Sequence, residues 1–123
     1  MIFIKIKVKG YLKNITENEM FYFEEKAIKR QNKICYNFDN VKTTVKVNDD
    51  SVYLIREGTD FINSFSFNKK KSDCNYYLRD NNCSVDIEIK TKLIEITNSN
   101  ICIKYIVIDS GIEYEYMLEM SDE

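Results

Sequence analysis

Period-two alternation runs through most of this chain and restricts its fold more than any other feature. Ile2, Ile4, Ile6 and Val8 point one way, while Lys5, Lys7 and Lys9 point the other. Val41, Thr43, Val45 and Val47 alternate with Lys42, Thr44 and Lys46. Val85, Ile87, Ile89 and Thr91 alternate with Asp86, Glu88 and Lys90. A repeat of two is the period of a half-buried β-strand; a helix repeats every 3.6 residues. Turn-forming clusters separate the runs: Gln31-Asn32, Asn48 to Ser51, Asp80 to Asn82, Asn98 to Asn100 and Ser110-Gly111. The pattern predicts an all-β chain, a single antiparallel β-barrel of about eight to ten strands made mostly of up-and-down hairpins.

The length of 123 residues fits one domain spanning 1–123. A chain of this size buries roughly two-thirds of its unfolded surface, enough for a core without metal or disulfide staples. Ala27 is the only alanine among 17 isoleucines, nine tyrosines and seven phenylalanines, a balance that favours strands over helices. Glu19 to Arg30 also carries helical spacing at Met20, Phe23 and Ala27; strand is the reading adopted, because Phe21, Phe23 and Ala27 share a strand face.

Histidine is absent, which removes the commonest general base, nucleophile activator and metal ligand. No phosphate-binding loop, nucleophile elbow or dinucleotide fingerprint occurs, so an enzyme is not expected and no cofactor is implied. A net charge of −2 and a pI of about 5.3 argue against nucleic-acid binding, and Lys69-Lys70-Lys71 reads as a solvated loop. No apolar run approaches a membrane span. The lysine-bearing start does not read as a signal peptide, so a cytoplasmic protein is expected. Cys35, Cys74, Cys83 and Cys102 should then be reduced thiols, and their spacing suits no zinc site.

Registers follow from the turns. If Val47 opposes Val52 across Asn48 to Ser51, then Thr43 opposes Arg56, and Arg56 lies on the apolar face. A two-residue loop at Ser110-Gly111 would set Val107 against Tyr114, Tyr105 against Tyr116 and Ile103 against Leu118. Gly10 and Gly58 are expected to end strands. A phase change at Leu93-Ile94 predicts a β-bulge. Ten bases and five acids in the first 46 residues, against six acids and no base in 109–123, predict that the first strand pairs with the last.

Over nearly its whole length the chain resembles the YwiB-like family of uncharacterised proteins. The resemblance rests on Val41-Lys42-Thr43-Thr44-Val45-Lys46-Val47 and on Leu54-Ile55-Arg56-Glu57-Gly58, whose Arg56 and Gly58 match the family's Arg-x-Gly. Gln31-Asn32-Lys33, Thr91 and Tyr105 also correspond. Tyr77 departs from the family's Tyr-x-x-x-x-Gly turn, being followed by Leu78-Arg79-Asp80-Asn81-Asn82. The resemblance implies a calycin-like, lipocalin-resembling barrel and supplies no catalytic residues.

A guanidinium on an apolar barrel face requires a carboxylate, carbonyls or a bound anion. Arg56, Tyr77, Tyr105 and Tyr116 are therefore the candidate ligand-binding residues, with Tyr114 also expected to face inward. Two functions compete. One is a small-molecule-binding barrel for an apolar or anionic ligand; the other is a filled barrel acting as a protein-interaction or structural module. A homo-oligomer is compatible with either.

Overall fold

The computed structural model describes residues 2–123. Eleven antiparallel strands form one sheet: β1 (Ile4–Asn14), β2 (Glu19–Arg30), β3 (Lys33–Phe38), β4 (Val41–Val47), β5 (Val52–Glu57), β6 (Phe61–Phe67), β7 (Asp73–Leu78), β8 (Cys83–Ile87), β9 (Ile89–Ile96), β10 (Asn100–Val107) and β11 (Glu113–Asp122). No helix occurs among the described residues. The spatial order is β8-β7-β6-β5-β4-β3-β2-β1-β11-β10-β9, a meander whose one long-range joint is β1 against β11. The sheet's two ends are adjoining pieces of chain: β8 pairs with β7, β9 pairs with β10, and Glu88 lies between them. The Glu88 carbonyl accepts the Ile108 N–H at 2.9 Å, and the Ser72 and Thr91 hydroxyls bond at 2.6 Å, so the seam of this nearly closed barrel is laced together. The stretch from Cys83 to Thr91 is thus two strands rather than the single one expected.

Glu19 to Arg30 is strand throughout. Gly10, expected to end its strand, instead lies within it. β1 continues to Asn14 because Gly10 lets it pass close to its neighbours; a Cβ there would stand 2.0 Å from the Met117 carbonyl oxygen and 2.8 Å from the Phe23 ring. The β1–β11 ladder sets Lys9 opposite Glu119 and Lys13 opposite Glu115, while Glu113 forms its ion pair with Lys92 at 2.6 Å.

The β4–β5 register is the expected one, with Val47 opposite Val52, Val45 opposite Leu54 and Thr43 opposite Arg56. The last hairpin differs by two residues. Tyr105 faces Tyr114, Ile103 faces Tyr116 and Ile101 faces Leu118. The loop is Ile108 to Gly111, closed by the Gly111 N–H on the Val107 carbonyl at 2.9 Å, with Gly111 at φ +71°. That conformation is open to glycine at no steric cost. A shift of two leaves every side chain on its face, so the inward set is unchanged. The bulge near Leu93 is present, with Lys92 as the residue without an opposite number between Thr91 and Leu93.

One end of the interior is filled. Val8, Ile34, Val45, Val52, Phe67, Ile101, Ile103 and Leu118 are each at most 2% exposed. Burying side chains of this size contributes about 1.5–3 kcal/mol each.

Candidate functional site

The other end of the barrel is hollow. A cavity of about 510 Å³ is walled by inward residues of β1 to β7 and β10 to β11, together with Ile87 and Ile89 at the seam. Nine of its twenty lining residues are phenylalanine or tyrosine. Period two explains the lining: Tyr36 on β3, Thr43 on β4, Arg56 on β5 and Asn63 on β6 occupy successive opposed positions across four strands. Polar side chains thus form one row, while Leu54 and Phe65, one step along, are apolar.

The cavity opens near the start of β2. The β2–β3 ladder covers only Ala27–Arg30, so Glu19 to Lys26 pairs with β1 alone. β3 turns back at Asp39 and Asn40, both with positive φ (54° and 63°), a conformation that Asn and Asp tolerate. Phe21, 62% exposed, Phe38 and exposed Asp39 line this end.

Of the four candidate residues, Arg56, Tyr105 and Tyr116 line the cavity together, as does Tyr114. Tyr77 does not, and is corrected here. Tyr76 takes the inward position, opposite Asn63 and stacked on Phe61 with centroids 5.6 Å apart. Tyr77 consequently faces out, and its hydroxyl donates to Asn82 in the β7–β8 turn. Tyr36, Asn63 and Phe23 belong to the cavity and were not singled out from sequence, although alternation within β3 and β6 carried the signal for the first two.

Arg56 is half-buried, and no side-chain hydrogen bond or ion pair reaches it among the described residues. The acid next to it in sequence, Glu57, points outward and holds Arg79 at 3.0 Å. Among the described residues, Asp39 at the rim is the one carboxylate lining the cavity. The Tyr36 and Tyr116 hydroxyls bond each other at 2.8 Å. Burial raises the pKa of Tyr36, Tyr105 and Tyr116 above 10.0, while the Arg56 charge acts on all three in the opposite sense. Burial likewise pushes the Cys74 thiol up to about 11. The tyrosines therefore stand as neutral hydroxyls around one guanidinium. Phe23 stacks on Tyr36 at 5.1 Å, and Tyr105 on Tyr114 at 5.3 Å, which fixes the rings that carry those hydroxyls.

Such a site suits binding. It combines an apolar, aromatic chamber of ligand size with a few convergent polar groups. Burial holds its described thiol, Cys74, protonated, and that thiol donates weakly to the Asn63 amide oxygen at 3.7 Å. The fold and the chamber define a meander β-barrel with a one-cation cavity at its open end.

Comparison with known proteins places the chain in a family. Residues 3–123 match the model for a domain of unknown function, DUF1934, and the chain belongs to that family. The fold is similar to that in the crystal structure of the ywiB protein from Bacillus subtilis, with TM-score 0.70 and 20% identity over 98% of this chain and 92% of that one. No curated protein matches the chain.

Proposed function

We propose that this barrel is a non-catalytic binding protein for a small amphipathic anion, held in the cavity with its charge against Arg56. The observation that carries the reading is a lone, permanently charged guanidinium in an aromatic chamber without a protein acid to satisfy it. A half-buried cation in that position is costly unless an anion meets it. A filled barrel is the weaker reading, because only one end of the interior is packed.

Native mass spectrometry of protein purified gently from its own cells tests this. The expected spectrum contains an adduct of small mass that is lost from Arg56→Met. A single unliganded mass, with no small acid in a denaturing extract, overturns the proposal.

A further inference from the structure

Charge and donor counts around the cavity narrow the class of anion. Among the described residues that line the cavity, Arg56 is the only basic side chain and Asp39 the only acidic one, the first inside and the second at the rim. Among the described residues no second lysine or arginine lines the chamber, and without helices there is no helix N-terminus to receive an anion. The remaining polar groups are neutral donors. The Tyr36–Tyr116 pair has two hydroxyl protons and uses one in its mutual bond, and Thr43, within hydrogen-bond reach of Tyr36, brings a third hydroxyl to the same row. The Tyr105 hydroxyl has no protein partner among the described residues, and the Asn63 amide adds two N–H donors on the strand beside Arg56.

We infer that the cavity selects a monocarboxylate with an aromatic or aliphatic body and rejects phosphate monoesters; this rests on the reading that Arg56 holds the ligand's charge. A carboxylate carries one charge and two oxygens with about four acceptor sites. The guanidinium fork meets both oxygens at once, and neutral hydroxyls supply the remaining bonds. Cation and anion then cancel. A phosphate monoester carries about −1.5 to −2 at pH 7. Its second charge would lie in an aromatic chamber with no second cation, and Asp39 at the rim would oppose its entry. Burying an uncompensated charge is among the costliest changes a site can suffer.

The test is calorimetric titration of the full chain near neutral pH with two matched sets of probes. The first is 2-naphthoate, 2-naphthyl phosphate and 2-naphthamide; the second is decanoate, decyl phosphate and decanamide. The expected result is saturable binding of a carboxylate, with its phosphate and amide counterparts weaker by roughly tenfold or more. In Arg56→Gln the carboxylate should fall to the level of the amide. A phosphate ester binding as tightly as its carboxylate overturns the selectivity and leaves anion binding standing. An amide binding as tightly as its carboxylate overturns both. If no probe of either set binds, the proposed function falls with the inference.

Discussion

Replacing Arg56 by methionine separates a cation that serves the fold from one that serves a ligand. Methionine keeps an unbranched apolar stem in the cavity wall that Leu54 and Phe65 also line, and removes the charge. If a buried acid were paired with Arg56, its loss would leave that acid stranded and cost about 3–5 kcal/mol. The structure shows no such acid; Glu57 is engaged by Arg79 outside, and Asp39 is an exposed rim residue beyond ion-pair distance. Neither ion pair among the described residues involves Asp39 or Arg56, and even a formed pair at an exposed carboxylate contributes only about 0–1 kcal/mol. Relief of guanidinium desolvation acts in the opposite direction and is at least comparable for a half-buried group. The ligand-free variant should therefore be as stable as wild type or more stable, by about 0–2 kcal/mol. In a chain of this size 1 kcal/mol corresponds to roughly 4 °C in melting temperature. Urea titration and thermal melts of both proteins, stripped of ligand by refolding, provide the comparison. A loss of 3 kcal/mol or more in Arg56→Met would refute the reasoning and reveal a structural partner.

Gly10→Ala should destabilise by about 3 kcal/mol or more in urea titration, because the added Cβ meets the Met117 backbone oxygen across the β1–β11 joint. Phe67→Ala should cost about 3–5 kcal/mol in the same assay, since the ring is 1% exposed and divides the packed end from the cavity. Stability should also fall in alkali. Unfolded thiols ionise around 9.0 and unfolded tyrosines around 10.0, whereas burial holds Cys74 and Cys102 to about 11 and keeps Tyr36, Tyr105 and Tyr116 protonated above 10.0. The folded state thus retains more protons, so stability is full below about pH 9 and declines as pH rises through the folded values. Urea midpoints at about pH 8 and about pH 10.5 should show this drop, and a smaller one in Tyr105→Phe.

Alternation made the inner and outer faces of β1, β4 and β10 legible, and the four-residue turn before Val52 made the Thr43–Arg56 register legible. The site's cation was therefore readable before its surroundings were. Tyr77 was misplaced because Asp73-Cys74-Asn75-Tyr76-Tyr77-Leu78 has aromatic residues at adjacent positions and no alternation to decide between them. Gly10 was misread because a glycine that ends a strand and one that lets two strands approach look alike locally. The difference lies in Met117, more than a hundred residues away. The seam at Glu88 was hidden for a similar reason: a strand that changes partners part-way keeps its period, and only the third dimension shows that β8 and β9 serve opposite ends of the sheet. The cavity itself depends on how many inward side chains fall short of the barrel axis, which no linear pattern records.

The account's central claim is that Arg56 meets a ligand's negative charge inside the barrel, and the arginine side-chain Nε–Hε resonances test it most directly. The chain has three arginines, Arg30, Arg56 and Arg79, so the spectrum is simple and Arg56→Met assigns the relevant signal. On titration with 2-naphthoate or decanoate, the Arg56 resonance should shift saturably and in step with Tyr105 and Tyr116 ring signals, while those of Arg30 and Arg79 stay in place. An Arg56 resonance unmoved at concentrations that saturate binding elsewhere, or unmoved by every carboxylate offered, would contradict the account.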